Sequence, residues 1–144
     1  MSRVLVIDDE EGVLASVKRR LERHGLEVTS ASLAEDGIRL IQNSQIPYDV
    51  IVTDMSMESP ESGIQVLQAA LKRDVIASVI VMTAYGNVAN AVECMRRGAF
   101  DYLEKNSPSG DVYETLIAKV DMAIERRRHD LRTLERFAVA SELP

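Results

Sequence analysis

The sequence predicts an α/β fold, a doubly wound five-stranded parallel sheet with an extended C-terminal helix. Three observations predict it. Short apolar runs containing β-branched residues recur at residues 4–7, 26–30, 50–53, 79–82 and, less strongly, 101–104. Each run is followed by a segment with helical apolar spacing, giving five β-α repeats. The runs are mostly continuous rather than alternating, as expected for parallel strands covered by helices on both faces. The crossovers are then expected to be right-handed.

The elements follow in order. After the first strand, Val13, Val17 and Leu21 form one helical stripe that stops at Gly25, a residue suited to the left-handed conformation past a helix end. The second helix is expected to open with a capping box at Ser32-Leu-Ala-Glu35. The third carries Ile64, Leu67 and Leu71. The fourth starts after Asn87, is expected to bury Val88, Ala91, Val92 and Met95, and ends at Gly98. From Tyr113 the spacing alternates between four and three through Ile117, Val120, Ile124, Arg127, Leu131, Leu134 and Ala138, a heptad with one charged break. A helix of about 27 residues is roughly 40 Å long. Its distal half is expected to project beyond the sheet as a coiled coil, with interleaved acids making the Glu125 to Asp130 run a solvated exterior.

A chain of 144 residues with 46% hydrophobic content suits one ordinary core. The formal charge of -6 disfavours nonspecific attraction to nucleic acid or anionic membrane. Cys94 is the single cysteine, so no internal disulfide forms, and His24 and His129 are too far apart for zinc-ligand spacing. Cys94 is expected to be a partly buried packing residue. Neither a signal-peptide core nor an apolar run of membrane-spanning length occurs, so a soluble cytoplasmic protein is expected.

Open parallel sheets bind ligands beyond the carboxyl ends of their strands, where the winding direction changes. Asp8, Asp9, Asp54, Thr83 and Lys105 all fall at such ends. Three carboxylates, a hydroxyl and an ammonium suit an octahedral divalent cation held beside a phosphoryl oxygen. Any one of these acids alone also reads as a helix N-cap. Together they match the needs of phosphoryl transfer: Asp54 as the nucleophile, Asp8 and Asp9 with the cation, Lys105 and Thr83 on the remaining phosphoryl oxygens.

With those residues placed, the chain resembles the receiver domains of two-component response regulators over roughly residues 2–122. The matching pieces are Val4-Leu-Val-Ile-Asp-Asp-Glu-Glu11, Asp49-Val-Ile-Val-Thr-Asp54, Val79-Ile-Val-Met-Thr-Ala84 and Gly98-Ala-Phe-Asp-Tyr-Leu-Glu-Lys105. The resemblance implies a flavodoxin-like sheet in strand order 2-1-3-4-5, with residues 1–122 as the receiver and 123–144 as a helical extension. It implies that Asp54 accepts a phosphoryl group from a histidine kinase or phosphotransfer protein, with magnesium, or manganese as an alternative, held by Asp8, Asp9, Asp54 and the Ser56 backbone carbonyl. Lys105 is then the phosphate-binding lysine, Thr83 the switch hydroxyl and Tyr102 the switch aromatic. Ser56 and Tyr85 flank the path of hydrolytic water, and Tyr85 is expected to shield the acyl phosphate. The implied output is a changed face of helix four, strand five and helix five, controlling transcription. The domain catalyses only its own phosphorylation and dephosphorylation.

Thr83-Ala-Tyr-Gly-Asn-Val88 and the heptad further resemble receivers that precede ATPase domains activating sigma-54-dependent transcription, with their dimerising linkers. A homodimer through the C-terminal helix is therefore expected, with Arg127 at a seam position that weakens it or selects register. No Gly-rich loop with Lys-Ser or Lys-Thr occurs, so an output domain, if one exists, lies outside these residues. Two loops depart from the family. Gly63 lies nine positions after Asp54 where eight is usual, a lengthening that puts Glu58 near the metal, where it is expected to be a solvated loop carboxylate, with tighter cation binding as the alternative. Asn106 follows Lys105 where a cis proline is common, so the loop either runs trans or stores strain. Haloacid-dehalogenase-type phosphatases need an Asp where this chain has Ser56, and a dinucleotide module needs a Gly-rich first turn. A degenerate receiver serving only for dimerisation stays open as the alternative.

Overall fold

The computed structural model describes residues 1–142 except Tyr85, Ser107 and Ser109, with side chains described as far as Val139. The elements are β1 (Arg3–Ile7), α1 (Glu11–Arg23), β2 (Glu27–Ala31), α2 (Ala34–Asn43), β3 (Val50–Asp54), α3 (Ser62–Arg73), β4 (Ser78–Thr83), α4 (Val88–Arg96), β5 (Asp101–Glu104) and α5 (Val112–Glu142). All strand pairs are parallel, in the order β2-β1-β3-β4-β5. The expected fold class and strand order are therefore met.

Side chains alternate across a strand, so each inner strand feeds two cores. Leu5, Ile7, Ile51, Val79 and Val81 pack under α2, α3 and α4, while Val4, Val6, Val50, Val52, Ile80 and Met82 pack under α1 and α5. Both faces are dry, which explains the continuous apolar runs. At Gly37 an added Cβ would collide with the Ile7 side chain, so glycine lets α2 sit close on β1.

Four local expectations need correction. The capping box at Ser32 and Glu35 does not form: α2 begins one residue later, with Leu33 at the N-cap and no side-chain cap of its own. On α4, Ala91 and Cys94 face the core, whereas Val88, Val92 and Met95 are exposed by 45%, 47% and 38%. A helix of nine residues buries one narrow i, i+3 stripe, and here the small side chains occupy it. Cys94 is fully buried rather than partly buried, its Sγ 3.5 Å from Met55 Sδ, and burial pushes its thiol pKa up.

The fourth correction concerns α5. The helix has 31 residues, but Val120 and Ile124 are buried against the sheet along with Leu116 and Ala123. The upper heptad is thus the domain's own core stripe, because a four-three spacing reads alike whether it faces a sheet or a partner helix. Arg127 is not at a free seam. It is 6% exposed, with Nη1 at 2.6 Å from Asp74 and 3.3 Å from the Ile76 carbonyl, and Nε at 3.3 Å from Asp49. Beyond it Leu131, Leu134 and Phe137 are exposed.

Candidate phosphoacceptor pocket

β1 neighbours β2 on one side and β3 on the other, so the winding reverses between β1 and β3. Asp8 follows β1 and Asp54 ends β3, one on each side of that switch point. The Lys105 N–H donates to the Thr83 carbonyl at 2.7 Å, extending the β4-β5 ladder and aiming the lysine back over the sheet end. Its ammonium reaches Asp8 at 2.8 Å, Glu10 at 3.1 Å and Asp54 at 3.2 Å.

The pocket carries excess negative charge. Carboxylate oxygens of Asp8, Glu10 and Asp54 lie within 4.8 Å of one another. Asp8 is fully buried and Asp54 is 6% exposed. Burial, together with the charges of Asp8 and Asp9, raises the Asp54 pKa from 3.8 to about 6 against the lowering effect of Lys105. Burial alone would lower the Lys105 pKa, but contact with Asp8 and the Asp54 charge raise it well above the ordinary lysine value. The ammonium therefore stays charged.

The donor set suits a hard divalent cation. All three clustered groups offer carboxylate oxygen. Asp8 Oδ1 accepts the Glu10 N–H at 2.9 Å, and the buried Asp8 Oδ2 is held by the Lys105 ammonium at 2.8 Å.

Of the residues predicted from sequence, the structure brings Asp8, Asp54 and Lys105 together. Asp9 is exposed and outside the close group, although its charge still acts on Asp54. Thr83 is buried, with its hydroxyl donating to the Asn87 carbonyl at 3.4 Å at the start of α4. Ser56 is exposed on the β3-α3 loop and Tyr102 is half-buried on β5. Tyr85 lies outside the described residues. The Lys105-Asn106 peptide is trans, and Asn106 turns the chain at φ +56°, a left-handed conformation asparagine tolerates. Glu10 was missed as a site residue. Its signal was position, two residues past Asp8, where an Asx turn folds it back over the strand end.

Comparison with known proteins agrees with this geometry. The response regulator receiver domain family matches residues 4–117. The photosynthetic apparatus regulatory protein RegA of Rhodobacter capsulatus is 33% identical over 116 residues, 81% of this chain and 61% of RegA. The C4-dicarboxylate transport transcriptional regulatory protein DctD of Pseudomonas aeruginosa is 34% identical over 143 residues, 96% of this chain and 29% of DctD. The chain thus spans less than two thirds of either relative. A response regulator receiver domain protein from Clostridium thermocellum superposes with a TM-score of 0.78 at 35% identity, covering 89% of this chain and 98% of that one. Matched sequence, sheet order and acidic strand ends agree, and the chain belongs to the response regulator receiver domain family of two-component signalling proteins.

Proposed function

We propose that this chain accepts a phosphoryl group from a histidine kinase or phosphotransfer protein onto Asp54 and passes the signal to a transcriptional output. The observation that carries the reading is the Lys105 ammonium held among Asp8, Glu10 and Asp54 at the switch point of the sheet. A carboxylate oxygen of Asp54 attacks phosphorus in line as the bond from phosphorus to the donor breaks, leaving an acyl phosphate. Lys105 then exchanges its carboxylate contacts for a phosphoryl oxygen, and Thr83 leaves the Asn87 carbonyl to donate to another. Asp8, Asp9, Asp54 and the Ser56 carbonyl hold magnesium, or manganese in its place, which neutralises charge on the transferring group when bound.

Moving Thr83 off the Asn87 carbonyl disturbs the start of α4, and Tyr102 on β5 follows into the space given up. The exposed Val88, Val92 and Met95 lie on the helix so disturbed, which supports output through the face of α4, β5 and α5. Ser56 and Tyr85 tune hydrolysis of the acyl phosphate. A homodimer through the distal half of α5 is supported by the exposed Leu131 and Leu134, still in heptad register.

Intact mass after incubation with acetyl phosphate and magnesium tests the reading. The native chain is expected to gain one phosphoryl group and Asp54→Asn none. No gain in a folded native chain would contradict it and leave the dimerisation module as the better account.

A further inference from the structure

The β3-α3 loop follows Asp54 and brings Gly63 nine positions after it. Its second half is bonded to itself. Ser59 N–H donates to Ser62 Oγ at 3.1 Å, Ser62 Oγ donates back to the Ser59 carbonyl at 3.0 Å, and Glu61 N–H donates to Ser59 Oγ at 3.3 Å. The loop then closes on the acceptor itself. Gly63 N–H donates to the Met55 carbonyl at 2.8 Å, and a Cβ on Gly63 would lie 2.8 Å from Met55 Cα and 3.0 Å from the Asp54 carbonyl oxygen. The first turn of α3 therefore rests on the backbone of Asp54.

The first half of the loop, residues 56–58, has much less. Ser56 Oγ makes a long contact with the Pro60 carbonyl at 3.5 Å, and Met57 N–H reaches the Ser59 carbonyl at 3.2 Å. Met57 packs against the core, and the polar link from this half to the rest of the domain is Glu58, whose two carboxylate oxygens both lie 3.1 Å from the backbone N of Ala34, the first residue of α2. That helix has no side-chain cap of its own. A helix start needs an acceptor and favours negative charge, and Glu58 supplies both from across the pocket edge. Among the described residues no cation pairs with Glu58, so the helix end is its partner.

We infer that Glu58 is a positioning residue of the phosphoryl-transfer site: its tether to the start of α2 fixes the half-loop that carries the Ser56 carbonyl beside Asp54. This rests on the phosphoacceptor reading above. Glutamine keeps an acceptor for Ala34 but loses the charge, and alanine loses both.

The test uses the full chain with magnesium alone. Cation half-saturation is followed by calorimetric titration, the Ala34 amide by its NMR resonance, and acetyl phosphate labelling by intact mass across magnesium concentrations. Glu58→Ala is expected to shift the Ala34 amide, weaken magnesium binding by roughly tenfold, and slow labelling at low magnesium with recovery to near the native rate at saturation. Glu58→Gln is expected to lie between. A shifted amide with unchanged magnesium affinity would reduce Glu58 to a helix cap and overturn the inference, as would an Ala34 resonance that does not move. A native chain that binds magnesium and is labelled keeps the phosphoacceptor reading whatever Glu58 does, whereas a native chain doing neither removes both.

Discussion

Two charge clusters sit at opposite ends of the same sheet. At the carboxyl ends of the strands Asp8, Glu10 and Asp54 crowd one ammonium, Lys105. At the amino ends Asp49 and Asp74 hold one guanidinium, Arg127. Both clusters surround a buried cation with more acids than bases, yet Asp54 is supported differently from Asp49 and Asp74. Asp49 also accepts the Arg3 N–H at 2.8 Å, and Asp74 the Ile76 N–H at 3.2 Å. Among the described residues no backbone N–H donates to the Asp54 side chain, and its pKa rises to about 6. The difference lies at Asp54, since Asp8 in the same cluster also accepts a backbone N–H, from Glu10 at 2.9 Å. On the proposed reading, Asp54 keeps its acceptor capacity for a phosphoryl group and a cation.

The largest effect that would break this contrast is on the guanidinium side. Arg127→Ala is expected to cost about 3 kcal/mol, because two partly buried carboxylates lose their cation, and to lower the melting temperature by roughly 10 °C. The labelling rate at Asp54 should not change in the folded variant. Stability unaffected by the substitution would mean that the lock carries no load. On the acidic side the sign reverses: Asp54→Asn should make the chain more stable at neutral pH by about 1–3 kcal/mol while ending labelling.

The pH dependence sharpens the point. The folded Asp54 pKa lies above the ordinary 3.8, so the folded state binds the extra proton between about pH 4 and 6. Stability from this group is greatest below that window and falls as pH rises through it. The gap in unfolding free energy between Asp54→Asn and the native chain is expected to open from pH 4 to 6 and stay level above about pH 7. A gap that instead closes with rising pH would mean that Lys105 outweighs burial. The smallest effect is expected on assembly. Replacing Leu131 and Leu134 by aspartate should shift sedimentation toward monomer with little change in stability, since both side chains are exposed. A persistent dimer would move the interface to the globular face.

How much of this was legible in the sequence depends on whether a residue's neighbours are set by strand ends or by loops. Asp8, Asp54 and Lys105 were legible because consecutive parallel strands deliver their terminal residues to one edge. Glu10 was not, since its place depends on an Asx turn. The cap of α2 was misread for a related reason: Ser32 and Glu35 carry the right spacing, but the acceptor that reaches Ala34 comes from Glu58, 24 residues away. On α5 the heptad was visible but its partner was not. Apolar spacing does not say whether Val120 and Ile124 meet a sheet or a second helix, and the carboxylates that bury Arg127 come from the turns before β3 and β4.

The contrast between the two clusters is tested most directly by urea unfolding of the native chain and Asp54→Asn at pH 7, each with and without magnesium. The account predicts that Asp54→Asn is the more stable without the cation, and that saturating magnesium, at about 100 times its dissociation constant, adds about 2.7 kcal/mol to the native chain and clearly less to Asp54→Asn. A native chain that is already the more stable without magnesium, or that magnesium leaves unchanged, would contradict it.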